Sequence, residues 1–579
     1  MRPLRRTLAA TAVAALALGI AACGGGGSSN ETAGKVPDSQ DLGGKKGGTL
    51  KVIASGDVDY IDPGAAYYQF SYMVLYPMQR PLYSYAPDDT TKPSPDLADG
   101  EPQVSSDNKT VTIKLKSGIK FSPPVNRAAT SQDVKYAIER GFKSNIANGY
   151  AGAYFGSIQG ATAYQDGKAS TITGIQTPND TTIVFKLDKP LAGPLIGALT
   201  LPLSAPVPES YAKQYDSQSP STYGQHQVST GPYMLKSYEP GKSITMVRNP
   251  NWNPSTDYRK AYLDQIDVDE GNNDTTVASR QILDGQGQVN GDFIPPPPVL
   301  KSALSNNADQ VLNPPSGGNR YVSMNTTIKP FDNINVRKAV IAVFDRTAMR
   351  LTRGGAVIGD IATHFIPPGV PGFDQAGGVK GPGYDFLASP DGNLQLAESY
   401  MKKAGYPSGR YTGTQPLLMV GTSGGTAQKA AEVAQAQFQK LGFKLNFRLT
   451  TQDTMYTKFC NVPKAAVVIC PNVGWQKDFN DGQTILDPTF NGQNIVQENN
   501  SNWPQLNDPK INQAMDQAAQ VVGVDARGDA WGKIDREVMA QAPAVPWVWD
   551  DQPNIRSKNV KGVINKSLAQ WDLDFTSLQ

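Results

Sequence analysis

The sequence predicts an α/β protein of several domains, and three observations support that class. The chain has 579 residues, which at about 150 residues per domain corresponds to roughly four domain equivalents. Segments with the patterns of strands alternate with segments that have the apolar periodicity of helices. Hydrophobic residues make up 39% and charged residues 18% of the chain, with 56 glycines and 44 prolines, a composition that excludes a coiled coil and a membrane bundle.

The first half of the chain is predicted to alternate strands and helices. A capping box formed by Thr130 and Asp133 begins a helix whose apolar face carries Val134, Ala137 and Phe142. We predict strands at 48–54, 111–115, 181–187, 233–238 and 243–248, a helix at 67–79, and a hairpin turn at Glu239-Pro240-Gly241.

A second α/β region is predicted beyond Pro314, with longer helices. The helix at 394–404 ends before Gly405, and Pro407 follows shortly after. We also predict a helix at 336–349, a strand at 416–420, a helix at 427–441 and a strand at 444–449.

The N-terminus has the pattern of an export signal followed by a tether. Residues 1–22 combine an arginine-rich start with an apolar run of about 15 residues, shorter than the roughly 20 needed to span a membrane. Small residues before Cys23 resemble the lipobox of bacterial lipoproteins, which implies acylation of Cys23 and attachment to the outer face of the membrane. Residues 23–46 are rich in glycine and predict a flexible tether. An anchor helix and twin-arginine export are the alternatives.

Composition argues against several classes of function. The formal charge is +2 with no long basic run, so no nucleic-acid partner is expected. Only His226 and His364 occur, far apart in sequence, so we expect no metal site, no cofactor and no catalytic residues. Cys460 and Cys470, in a chain predicted to face an oxidising exterior, favour a local disulfide over two buried thiols.

One segment matches a sequence motif of hydrolases. Gly421-Thr422-Ser423-Gly424-Gly425 fits the G-x-S-x-G pattern between a predicted strand and a predicted helix. In the α/β-hydrolase order a histidine must follow the serine, and both histidines of this chain precede Ser423. We therefore interpret the segment as a glycine-rich turn and predict that the protein is not an enzyme.

A series of short motifs occurs at 48–50, 61–63, 114–122, 131–140, 229–233, 248–250, 324–326, 330–339 and 404–407. In this order they resemble the family 5 extracellular solute-binding proteins of ABC transporters, the dipeptide, oligopeptide and nickel-binding group. The resemblance covers about 47–579 and implies a periplasmic-binding-protein-like two-lobed fold of type II (large cluster C type) with an inserted domain. It places a hinge lobe at 47–92, 222–314 and 548–579, the inserted domain at 93–221 and the far lobe at 315–547.

The resemblance also implies a ligand residue. Gly474 to Asn480 is similar to the family's Gly-Trp-x-x-Asp loop, whose aspartate meets the ammonium group of bound peptides, so Asp478 is the leading candidate. Some relatives have an arginine three positions before Trp475 that meets a peptide carboxylate, whereas this chain has Asn472. The alternative for Asp478 is a solvated or helix-capping carboxylate.

Three aromatic residues complete the predicted site. Trp475 lies beside the ligand or packs on its own lobe, and Tyr67 and Tyr68 follow the Asp62-Pro63 turn, where the family's first lobe faces the cleft.

The resulting prediction is a monomeric, lipid-anchored receptor that captures small peptides by closure of two lobes. It implies partnership with an ABC permease and its ATPase, and contact with the membrane through the lipid alone. The alternatives are a non-peptide solute, such as a metal chelate or an oligosaccharide, and a surface sensor or adhesin.

Overall fold

Three sheets organise the chain in the computed structural model, which describes residues 34–90, 92–423, 425–497 and 500–579. The hinge sheet contains, in order across it, Val289–Asn290, Thr49–Ile53, Gln265–Asp269, Ser243–Arg248 and Tyr233–Glu239. The inserted sheet contains Gln103–Val104, Thr110–Lys114, Thr182–Lys186 and Ile175–Asn179. The far sheet contains Leu445–Thr450, Leu417–Thr422, Ile469–Gln476, Pro315–Met324 and Ala544–Asp551.

Helices and short strand pairs surround these sheets. Around the hinge and inserted sheets the helices are Gln69–Leu75, Ser131–Gly141, Ala151–Phe155, Ala161–Gln165, Ala192–Ala198, Glu209–Asp216, Thr275–Leu283 and Pro297–Asn306. Around the far sheet they are Ile334–Val343, Arg346–Leu351, Phe373–Ala376, Leu394–Lys403, Gly425–Lys440, Gln452–Thr454, Gln483–Phe490, Pro509–Ala519 and Val524–Ala540. The pairs are Tyr83–Ser84 with Ser94–Pro95, Val311–Leu312 with Asn554–Ile555, Val560–Lys561 with Ser577–Leu578, and Ile564–Asn565 with Gln570–Trp571.

Two predicted helices differ from the structure for local reasons. The helix predicted at 336–349 is interrupted because the Asp345 side chain accepts a hydrogen bond from the Ala348 N–H and caps a new helix. The helix predicted from Tyr67 begins later, because the Asp59 carboxylate holds the Tyr67 and Tyr68 N–H groups at 2.8 and 3.2 Å.

Two large clusters make up most of the hydrophobic core, and two smaller clusters add to them. The hinge and inserted sheets share one continuous core, and we call this part of the molecule the first lobe. The far sheet and its helices have a separate core, and we call this part the far lobe. The strand Ala544–Asp551 crosses the predicted boundary between 547 and 548, because its pairing with the far sheet continues to Asp551.

The predicted tether is fixed to the first lobe over part of its length. The Gln40 side chain accepts a hydrogen bond from the Ile564 N–H and donates one to the Ile564 carbonyl, both at 2.8 Å. The Tyr262 hydroxyl donates to the Leu42 carbonyl at 2.8 Å. This part of 23–46, predicted to be flexible, is therefore held against the first lobe. The predicted export signal and Cys23 lie outside the described residues. Among the helices of the described ranges, none has the length and apolar character to cross a membrane.

Candidate functional site

The central segment of the site begins at the end of a far-sheet strand. Ile469–Gln476 pairs along one edge with the strand Pro315–Met324. On its other edge the strand Leu417–Thr422 pairs with it at Ile469. From 471 to 476 that second edge has no strand partner among the described residues. Asp478, Phe479 and Asn480 follow directly and reach the first lobe.

Asp478 meets two tyrosines of the first lobe. The Tyr154 hydroxyl donates a hydrogen bond to its carboxylate, and the Tyr67 hydroxyl also stabilises the charged form. Burial nevertheless raises the pKa of Asp478 to about 6 from its ordinary value of 3.8. No lysine or arginine in the described part of the chain compensates this carboxylate. Asp478 is therefore a desolvated negative charge that lacks a cation.

Aromatic rings enclose this carboxylate. Ring centroids of Tyr67 and Tyr150 lie 5.4 Å apart, those of Tyr150 and Tyr154 6.3 Å apart, and those of Tyr154 and Phe479 5.2 Å apart. The Asn148 side chain accepts hydrogen bonds from the Tyr150 and Ala151 N–H groups at 2.8 and 2.6 Å, just before the helix Ala151–Phe155. Tyrosine faces beside a carboxylate are suited to an ammonium group, which both attract.

Phe479 and Asn480 join the lobes next to Asp478. The Phe479 side chain is 3% exposed and belongs to the core of the first lobe. A Cβ added to Gly197 would lie 2.5 Å from the Phe479 ring, so glycine is needed there for the ring to enter. The Asn480 side chain donates to the Thr90 carbonyl. Three consecutive far-lobe residues thus contact the first lobe, and the structure is closed.

The predicted site residues have different surroundings. Tyr67 joins Asp478, whereas Tyr68 is 63% exposed. The Trp475 indole donates to the Thr484 carbonyl at 2.7 Å and packs on the far-lobe core. Asn472 keeps its amide oxygen without a hydrogen-bond partner. Tyr150 and Tyr154 were not predicted, since 324 residues separate Tyr154 from Asp478 and no quoted motif includes it.

The histidines and the hydrolase-like turn are separate from one another. His364 is fully buried, with its Nδ1 atom 3.0 Å from an Asp535 carboxylate oxygen. The His226 ring stacks on Tyr215 with centroids 4.2 Å apart. Both histidines therefore have structural contacts of their own, and Ser423 is exposed at the end of its strand. Cys460 and Cys470 are joined as a disulfide.

Cation ligands are scattered rather than clustered. Within the described ranges, no group of three or more His, Cys, Asp or Glu side chains is arranged to hold a metal ion. A cavity of about 1570 Å³ is lined by residues of both lobes. Lys477, Trp549 and Asp551 of the far lobe and Lys301 of the first lobe are among its lining residues.

Comparisons with known proteins agree with this architecture. The family model described as bacterial extracellular solute-binding proteins, family 5 Middle, matches residues 92–497. The oligopeptide-binding protein OppA of Bacillus subtilis (strain 168) is 24% identical over 488 residues, which cover 81% of this chain and 83% of that protein. The glutathione-binding protein GsiB of Escherichia coli O6:K15:H31 (strain 536 / UPEC) is 26% identical over 474 residues, which cover 79% and 81%. The structure of clavulanic acid biosynthesis oligopeptide binding protein 2 is similar with a TM-score of 0.82 and 26% identity, over 93% of this chain and 96% of that one.

Proposed function

The chain belongs to the bacterial extracellular solute-binding proteins of family 5, and on this premise we propose that it captures short peptides between its lobes for an ABC importer. Its relatives are solute-binding proteins and not enzymes, as the sequence predicts. The predicted periplasmic-binding-protein-like α/β fold is likewise confirmed. A substrate-binding role outside the cytoplasm follows from the family, whereas the peptide cargo belongs to the proposal.

The uncompensated carboxylate of Asp478 carries this proposal. A buried anion with hydroxyl donors but no cation is stabilised when a ligand supplies a positive charge. The surrounding rings of Tyr67, Tyr150 and Tyr154 favour a compact ammonium group for the same reason. The α-ammonium group of a peptide has this chemistry.

The free strand edge supports a peptide over other amines. Between 471 and 476 the strand Ile469–Gln476 offers backbone groups that no other strand uses in the described chain. An extended peptide can bind such an edge through its own backbone, whatever its side chains. A ligand with an ammonium group at Asp478 and a backbone along this edge is an N-terminally free peptide.

Attachment and delivery form the second part of the proposal. Acylation of Cys23 would hold the receptor on the outer face of the cell membrane, where it meets the permease. In cells given a labelled fatty acid, we expect the wild-type chain to take up label and the Cys23→Ala variant to appear unlabelled in the medium. A Cys23→Ala variant that stays labelled and membrane-bound would contradict the lipid anchor.

Native mass spectrometry tests the cargo without a prior choice of ligand. The full chain is purified gently in detergent, weighed, and weighed again after denaturation releases bound molecules. A series of added masses matching short peptides supports the proposal. A single non-peptide mass would replace the peptide with a solute such as a chelate or an oligosaccharide, and would identify it.

A further inference from the structure

A turn of the far lobe packs into the first lobe. This turn, Gly355–Ile358, follows a helix of the far lobe, and we call it the pivot turn. Its last residue, Ile358, is 1% exposed and belongs to a small hydrophobic cluster with Ile282 and Leu300 of two first-lobe helices. The pivot turn therefore joins the two lobes through residues other than Asp478, Phe479 and Asn480.

Asn313 connects the pivot turn to the segment that follows the predicted anchor. Asn313 lies in the short connection between a first-lobe strand and the far-sheet strand Pro315–Met324. Its side-chain nitrogen donates to the Val357 carbonyl at 2.8 Å and lies 3.4 Å from an Asp551 carboxylate oxygen. Its backbone N–H donates to the Gly34 carbonyl. One residue between the lobes thus contacts the pivot turn, a far-lobe carboxylate and the N-terminal segment.

The N-terminal segment is seated closely at this position. Gly34 is buried with a φ of 81°, and a Cβ added to it would lie 3.0 Å from a Leu304 side-chain atom. A residue other than glycine would be strained there. Val36 packs against the first-lobe core, and the bonds of Gln40 to Ile564 hold the following residues. We call Gly34–Leu42 the strap.

The strap also brings a positive charge to the far lobe. Burial and the neighbouring carboxylates of Asp360 and Asp550 raise the pKa of Asp551 to about 8, and the Lys35 ammonium group opposes this rise. Lys35, Asp360 and Asp551 line the same cavity. Because Lys35 is fixed to the first lobe by the strap and the carboxylates belong to the far lobe, their attraction favours the arrangement in which the lobes are close.

We propose that the strap is a working part of the hinge, which stabilises the closed form by holding Asn313 and Lys35 against the far lobe. Displacing the strap removes the backbone acceptor of Asn313 and the charge beside Asp551, so it shifts the population towards the open form. The strap lies between the proposed lipid anchor at Cys23 and the first strand. The segment that leads to the anchor therefore also acts on closure of the lobes.

Passive packing on the first lobe is the competing interpretation. The bonds of Gln40 and Leu42 go to first-lobe residues alone, so on their own they stabilise that lobe and leave closure unchanged. The contacts of Gly34 and Lys35 with Asn313 and Asp551 are the ones that reach the junction. Variants at Gly34 and Lys35 therefore separate the two interpretations.

Hydrogen-exchange mass spectrometry of the empty full chain in detergent tests the proposal. Two segments report on it: 355–360, which contains the pivot turn, and 477–481, which enters the first lobe in the closed form. Gly34→Ala should unseat the strap and speed exchange in both segments at least about threefold. Lys35→Met changes only a charge and should speed exchange in both about twofold.

Each variant has a matched control. Gly100→Ala also places alanine at a positive φ, of 97°, but with no atom within 4 Å of the added Cβ. Lys46→Met removes an exposed lysine just beyond the strap. Both controls should exchange like the wild type in the two reporting segments.

The other outcomes contradict the proposal. Unchanged exchange, or faster exchange confined to first-lobe segments around Leu304, would show that the strap packs passively. Faster exchange at 355–360 without a change at 477–481 would show that closure does not depend on the strap. If thermal melting shows that Gly34→Ala is partly unfolded, Lys35→Met decides between the interpretations. No ligand is added, so the result does not depend on the proposed peptide cargo.

Discussion

Replacing Asp478 with asparagine should show whether the Asp478 carboxylate binds the ligand or only supports the structure. In the closed, empty protein the charge of Asp478 is desolvated and lacks a cation. Asparagine keeps an oxygen acceptor for the Tyr154 hydroxyl but has no charge to desolvate. We therefore expect Asp478→Asn to stabilise the empty protein at neutral pH and to weaken ligand binding.

The size and pH dependence of the stability change follow from the pKa. A pKa moved from 3.8 to about 6 corresponds to about 3 kcal/mol when the group is ionised. The folded state holds the proton more strongly than the unfolded state, so the wild type loses stability as pH rises from about 4 to 6. The variant should thus equal the wild type near pH 4 and exceed it by up to about 3 kcal/mol at pH 7.5.

Urea denaturation measures the change in stability, and calorimetry measures the change in peptide affinity, on the same preparations. The free energy of unfolding is compared for wild type and variant at pH 4 and pH 7.5 without ligand. At pH 7.5 tetraalanine should bind the variant about ten- to hundredfold more weakly, since hydrogen bonds to charged groups contribute about 1.5 to 3 kcal/mol. Acetylated tetraalanine has no ammonium group, so it should bind the variant no more weakly than the wild type.

Asp481→Asn is the matched control three residues further on. Asp481 pairs with the buried Arg527 and accepts a hydrogen bond from the Gln483 N–H at 2.8 Å. Removing its charge leaves Arg527 uncompensated, so this variant should lose stability. If Asp478→Asn also loses stability at pH 7.5, or weakens both peptides equally, the assignment of Asp478 to an ammonium group is wrong.

Three further predictions concern the closed state and the disulfide. Phe479→Ala removes a ring from the first-lobe core, so small-angle X-ray scattering of the empty protein should show a larger radius of gyration, unlike Phe459→Ala outside that core. Tyr154→Phe removes a hydrogen-bond donor that lowers the pKa of Asp478, so this pKa should rise. As the pH is lowered, peptide affinity of the variant should therefore begin to fall at a higher pH than that of the wild type. Cys460 and Cys470 should resist thiol reagents until reduction, and replacing both with serine should cost about 2 to 4 kcal/mol of stability.

Much of the fold follows from local patterns in the sequence. The hairpin Tyr233–Glu239 with Ser243–Arg248 and the helix Leu394–Lys403 lie within a residue of their predicted bounds, because turn residues and caps fix their ends. The break at Asp345 was missed because an apolar periodicity continues across it. At this position the Asp345 side-chain cap begins a new helix, and the periodicity of apolar residues does not detect such a cap.

The site was predictable only where a motif contains it. Asp478 lies in a short segment with a recognisable spacing, whereas Tyr154 reaches it from a different domain. The role of Gly197 is similarly invisible in sequence, because its reason is the approach of Phe479 from the far lobe. Tyr68, adjacent to Tyr67, was grouped with it by sequence, but its side chain is 63% exposed, whereas Tyr67 contacts Asp478.

The closed state of the empty protein is governed by two opposing contributions from adjacent residues. Burial of the Phe479 ring favours closure by about 1.5 to 3 kcal/mol. Desolvation of Asp478 opposes it by about 3 kcal/mol at neutral pH. Because these magnitudes are similar, the two contributions nearly cancel in the empty receptor. An ammonium group that neutralises Asp478 removes the opposing contribution, so Phe479 and Asn480 then hold the lobes together, and the ligand shifts the population towards closure.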